Sequence, residues 1–188
     1  LTSPSGGLKL GEHTRRDLVA YDALLLEAHF TPQRIDATLG AGLAGSGRVD
    51  ARLDTGWDAY APLHGTLALD TDALTWLELL SPDIVEPTGH LAGRLTLAGT
   101  RAQPQLGGQA RLTRLHTELP ALNIVLEDGD LRLEALPDGS ARLAGTLRSG
   151  DGTLSLDGRL GATRAAGQAP LELRVRGHDV LAADTRDV

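Results

Sequence analysis

Apolar and polar residues alternate one by one along most of this chain. In Leu91-Ala92-Gly93-Arg94-Leu95-Thr96-Leu97 the leucines and Gly93 fall on one side, Arg94 and Thr96 on the other. Leu131 and Leu133 alternate with Arg132 and Glu134, and Leu143, Gly145 and Leu147 alternate with Arg142, Thr146 and Arg148. Leu171, Leu173 and Val175 do the same with Glu172, Arg174 and Arg176. Successive side chains of a strand point to opposite faces, so a period of two predicts strands with one apolar and one solvated face, as in antiparallel meanders. The pattern Gly-x-Leu-x-Leu begins at Gly6, Gly65, Gly93, Gly129 and Gly152. Its irregular spacing excludes a strict solenoid and fits a long meander of similar strands. Turn signals stand at Gly107-Gly108, Asp128-Gly129, Pro137-Asp138-Gly139 and Ser149-Gly150-Asp151-Gly152.

One segment breaks the alternation. Asp70, Thr71 or Asp72 can cap a helix in which Ala73, Leu74, Trp76, Leu77 and Leu80 follow at mixed helical spacing, before Ser81-Pro82 stops it. A short helix is expected near residues 73–80. The stretch from Asp17 to Phe30 reads two ways: Leu18, Tyr21 and Leu25 suit a helix, whereas Leu24, Leu26, Ala28 and Phe30 alternate. Its second half is expected to be strand.

Composition changes the picture of the core. Hydrophobic residues make up 41% of 188, but aromatics only 3%, with one Phe, two Trp, no Met and no Cys. Cores that close on themselves usually fill irregular space with aromatic rings and Met. A leucine-dominated face suggests thin layers, or a face not packed against itself. The formal charge of −7 comes without a basic run, which disfavours nucleic acid and charge-driven membrane attachment. Without cysteine there is no disulfide framework and no thiolate metal site. The longest leucine run, Leu24-Leu25-Leu26, ends at Glu27, so no apolar stretch is long enough to span a bilayer. A start at Leu1 and a polar end over residues 182–188 read as a stretch taken from a longer protein.

Several strings imitate functional motifs. Gly40-Ala41-Gly42-Leu43-Ala44-Gly45 matches GxGxxG, but that fingerprint needs a helix after its last glycine. Ser46 to Leu53 alternates as a strand instead. Gly150-Asp151-Gly152-Thr153-Leu154 resembles a single calcium nonapeptide, whereas such sites need stacked copies. The histidines at 13, 29, 64, 90, 116 and 178 have no close ligand spacing, and Ser46 does not sit in a nucleophile elbow. Trp76 lies among helix leucines and reads as packing; Trp57, near Tyr60, is left open between packing and ligand stacking. No catalytic centre, metal or cofactor is expected.

The stretches Leu74-Thr75-Trp76-Leu77, Gly89-His90-Leu91-Ala92-Gly93-Arg94-Leu95-Thr96-Leu97-Ala98-Gly99-Thr100, Pro104-Gln105-Leu106-Gly107-Gly108, Leu119-Pro120-Ala121-Leu122 and Ser149-Gly150-Asp151-Gly152-Thr153-Leu154 occur in an order that resembles the conserved C-terminal region of the TamB family, the inner-membrane component of the translocation and assembly module. Asn123 departs from it, standing where the family commonly has Gly, which bears on the local turn. Residues 1–60 are similar in texture, 61–160 carry the resemblance, and 161–188 hold a last strand and a polar end. The resemblance implies a mostly β fold, a long antiparallel meander curled into an open groove (a β-taco) with an apolar interior, carrying the one short helix read above. It also implies a periplasmic position, an inner-membrane anchor outside this stretch and a TamA-like outer-membrane barrel as partner. Relatives are linked to outer-membrane protein assembly and, with their AsmA-like and bridge-like kin, to phospholipid movement between membranes.

Alternation assigns the groove-facing candidates: Leu67, Leu69, Leu91, Leu95, Leu97, Leu112, Ile124, Leu126 and Leu131. Leu133, Leu143, Leu147, Leu154, Leu156, Leu171, Leu173 and Val175 continue the series. Moving an acyl chain through water costs about 0.8 kcal/mol per methylene, so a 16-carbon tail costs on the order of 12 kcal/mol. A leucine trough removes most of that, and uniform rungs without aromatic anchors hold a tail nowhere too tightly. The same face could chaperone unfolded outer-membrane protein strands by edge pairing. In a third reading the leucine faces simply pack together as a closed β-sandwich of a surface protein.

Overall fold

In a computed structural model, the residues described are 1–8, 19–43, 47–79, 84–120, 123–136, 138–161 and 171–180. They form eleven strands: β1 (Thr2–Leu8), β2 (Val19–Phe30), β3 (Ile35–Leu43), β4 (Gly47–Thr55), β5 (Leu63–Thr71), β6 (Val85–Gly99), β7 (Pro104–Leu119), β8 (Ile124–Ala135), β9 (Ala141–Ser149), β10 (Gly152–Leu160) and β11 (Leu171–His178). All belong to one sheet in sequential order, each antiparallel to the next, with β1 and β11 as its edges. The sheet stays open, forming a β-groove. That excludes the closed two-sheet sandwich.

Register follows from the alternation. Leu39 lies opposite Ala51, Ala51 opposite Leu67 and Leu67 opposite Leu95, so these positions share one face. On the far half Leu112 meets Leu131, Leu133 meets Leu143, Leu147 meets Leu154 and Leu156 meets Val175. Leucine and glycine also alternate across strands. Gly65 stands between Leu53 and Leu97, Gly145 between Leu131 and Leu156, and Gly158 between Leu143 and Leu173. Curling crowds side chains on the inner face, and a missing side chain beside each large one relieves the crowding. The opposite face is tied by cross-strand ion pairs, among them Arg111–Asp130 and Arg142–Asp157, each 2.5 Å.

Bulges account for the ambiguous and mistaken local readings. The β2 register shifts between Asp22 and Leu25, with Ala23 at φ 53°. The extra residue changes parity, so Tyr21 and Leu26, five apart, share a face, whereas Tyr21 and Leu25 of the helical reading fall on opposite faces. The described part of this stretch, from Val19, is strand throughout. Gly107-Gly108 and Asp128-Gly129 are not turns but lie inside β7 and β8. Gly108, at φ 92°, pairs in register with Leu95, whereas Asp128, at φ 50°, sits at a bulge; bulges and turns draw on the same residues because both need left-handed backbone. The other two signals join β8 to β9 and β9 to β10, although Pro137 lies outside the described residues. Asn123 has φ 52°, a conformation Asn tolerates, so the departure from Gly leaves the turn intact.

The expected helix is corrected. Among the described residues of this segment only Thr75–Leu79 is helical, as a five-residue 3-10 turn. Thr71 Oγ1 accepts from the Ala73 N–H at 2.9 Å where the chain leaves β5, and the Leu77 N–H donates to the Leu74 carbonyl at 2.8 Å. The helical part is five residues long, and short connectors of this kind commonly take the 3-10 form. Leu80, Ser81 and Pro82 lie outside the described residues.

Candidate apolar groove

Strands β2 to β7 build an open cavity of about 330 Å³. Its rungs are Leu26 from β2, Ala37 and Leu39 from β3, Ala51 and Leu53 from β4, Gly65 and Leu67 from β5, Leu95 and Leu97 from β6, and Leu106 from β7. Thr38, Arg52, Thr66 and Thr96 alternate with these rungs and complete the lining. Most of the lining is aliphatic, a surface that favours apolar ligand atoms over water.

Toward β10 the same face is filled. Leu74, only 1% exposed, packs with buried Leu112, Leu115 and Leu147, and Leu77, Leu91, Leu126, Leu131, Leu154 and Leu156 pack round them. The connection from β5 to β6 therefore lies in the trough. Of the sequence candidates, Leu67, Leu95 and Leu97 line the open cavity, while Leu91, Leu112, Leu126, Leu131, Leu147, Leu154 and Leu156 belong to the filled half. Leu133 and Leu143 pair with each other, half-buried, and Leu69 lies opposite Gly93. Ile124 pairs with Leu119 beyond the β8 bulge. Leu173 and Val175 are half exposed on the edge strand; of Leu171 the backbone alone is described.

Sequence reasoning missed Leu26, Leu39, Leu53 and Leu106 in the cavity, and Leu74 and Leu115 in the filled half. Alternation within β3 and β4 was available to find Leu39 and Leu53. Leu115 was hidden because the register shifts between Leu112 and Leu115, where Arg114 has φ 53°.

Phe30 ends β2, and Trp57 and Tyr60 lie in the connection between β4 and β5. Trp57 Nε1 donates to the Thr31 carbonyl at 2.8 Å and its ring lies 6.2 Å from that of Phe30, so Trp57 packs against a neighbouring turn while remaining half exposed. The string at Gly40 runs through β3 with Ala44 to Ser46 outside the described residues, and β4 follows it. Among the described residues no three His, Cys, Asp or Glu converge on a metal position, and no helix is long and apolar enough to cross a membrane. On the outer face the Arg111, Arg142 and Arg48 guanidinia hold the carboxyls of Asp130, Asp157 and Asp50 below the usual range, and hydrogen bonds from Ser140 do so for Asp138. His90 Nδ1 lies 2.8 Å from Asp72 Oδ1, tying the β5–β6 connection to β6.

Comparison with characterised proteins gives one partial likeness. Over 97 residues, 52% of this chain, the sequence is 28% identical to the translocation and assembly module subunit TamB of Haemophilus influenzae. The match covers 7% of that protein, so this chain spans a small part of its relative's length. No family model and no solved structure matches.

Proposed function

We propose that this chain is a segment of a TamB-like envelope protein whose groove shields phospholipid acyl tails as they pass between the inner and outer membranes. The observation that carries the reading is the open cavity lined by Leu, Ala and Gly from strands β2 to β7. Its volume of about 330 Å³ sits at the lower end of small-molecule sites, which run from about 300 to 1,000 Å³. That suits part of a tail rather than a whole lipid, as expected of one section of a longer path. The partial likeness to TamB supports the same family. On this reading the chain lies in the periplasm, its protein is anchored in the inner membrane outside this stretch, and a TamA-like barrel is the outer-membrane partner.

A photoreactive 16-carbon fatty acid tests the reading. Adducts should concentrate on Leu97, Leu106 and neighbouring rungs and be competed by phospholipid. Labelling spread evenly over both faces would sink it. A second reading, capture of an outer-membrane protein strand, draws on the edge strand β11, where Leu173 and Val175 are 50% and 54% exposed. Crosslinks from β11 to an unfolded client peptide, without fatty-acid adducts in the cavity, would favour it.

A further inference from the structure

The β5–β6 connection lies in the trough it interrupts. Residues 72–79 take no part in the sheet's pairing among the described residues, yet Leu74 is 1% exposed against Leu112, Leu115 and Leu147. The surface it covers is chemically continuous with the open cavity. Leu95 lines the cavity and Leu91, four residues earlier on the same face of β6, packs against the Leu74 cluster. We propose that residues 72–79 are a displaceable strap, whose Leu74 and Leu77 occupy the far half of the trough as stand-ins for an acyl tail, and that an entering tail lifts them out. This rests on the acyl-tail reading above and adds how the path becomes continuous.

Three features make displacement feasible. The exchange is like for like, because methylenes of a tail replace leucine methyls against the same rungs, and a long tail covers more of that face than two side chains. Departure leaves the backbone ladder of the sheet unbroken, since β5 and β6 pair directly from Thr71–Leu91 to Gly65–Leu97. The identified polar ties are short-range: Thr71 Oγ1 to the Ala73 N–H at 2.9 Å, and His90 Nδ1 to Asp72 at 2.8 Å on partly exposed side chains. A ligand opens a strap only if it binds the open state better, and here the strap and the tail compete for one surface.

The chain contains no cysteine, so single thiols report cleanly. Leu74→Cys, Leu77→Cys and Leu112→Cys are placed singly in the full chain and reacted with a water-soluble maleimide, with and without the photoreactive 16-carbon fatty acid. Leu77→Cys, on a partly buried position, serves should Leu74→Cys fail to fold. With the probe, the Cys at 74 or 77 should react on the order of tenfold faster, reflecting a matching shift in open population. The Cys at 112 should stay protected, its strap cover replaced by the tail. Adducts at Leu97 and Leu106 with no rate change at 74 or 77 would overturn the strap and leave the acyl-tail reading standing. Faster reaction at all three positions means general unfolding and overturns it too. Absence of adducts at Leu97 and Leu106 fails the acyl-tail reading itself, and the strap with it.

Discussion

A glycine on the inner face makes room for a neighbour's leucine, and that role can be read position by position. A Cβ on Gly145 would collide with the Asp130 carbonyl and lie 2.6 Å from Leu131 Cδ2, contacts that backbone cannot yield. Gly145→Ala should therefore destabilise by about 1–3 kcal/mol, as overpacking does. Gly40 is different: an added Cβ meets only Asp50 Oδ1 at 3.6 Å, and its φ is not left-handed. Gly40→Ala should be neutral or stabilise by up to about 1 kcal/mol, through reduced freedom of the unfolded chain. Urea midpoints of the two variants check the contrast; equal losses would mean that the leucine–glycine alternation is incidental. Outer-face carboxylates make a second prediction. Asp50, Asp130, Asp138 and Asp157 have folded values below ordinary ones, so their contribution is complete above the unfolded carboxylate range and is lost as pH falls through the folded values. Urea midpoints should stay level from neutral pH to about pH 5 and fall only at more acid pH. Because these pairs are exposed, raising salt should move the midpoint little.

Among the elements, alternation fails where a bulge intervenes. The strands around Leu95, Leu131, Leu143 and Leu173 were legible because regular pleating maps sequence parity directly onto faces. Leu115 was not, because one left-handed residue at Arg114 changes parity, and parity is all that the sequence offers. The segment at Leu74 was legible as a break, but not as a 3-10 turn lying within the trough, since periodicity does not say which surface a connection covers. Depth separates its leucine from those of the cavity. Leu74→Ala empties a fully buried site and should destabilise by about 2–5 kcal/mol. Leu106→Ala enlarges a space that is already open, and should lose under about 1.5 kcal/mol. Thermal or urea unfolding of both variants decides, and a Leu106 loss as large as that at Leu74 would show the cavity to be closed core.

As a whole, the molecule is one sheet with a single leucine face under two conditions, open over β2 to β7 and covered toward β10. A charge placed on that face should therefore have two different consequences. Leu97 lines the cavity and is 38% exposed, so the carboxylate of Leu97→Asp keeps part of its hydration. Leu147 is 5% exposed in the leucine cluster round Leu74, so an aspartate there enters a buried aliphatic cluster. Burying such a group without a partner costs several kcal/mol, a large part of the stability of an ordinary domain, even when the group takes up a proton instead. Leu147→Asp should thus lose folded protein. Leu97→Asp should fold, yet lose fatty-acid adducts at Leu106, because the neighbouring rung across β6 and β7 now holds water. Folded abundance and adduct yield, measured on the same samples, separate stability from passage. Loss of fold in both variants would mean that the whole face is closed core. Undiminished adducts in folded Leu97→Asp would mean that acyl tails do not use this cavity, and the conduit reading would have to be given up for the edge strand.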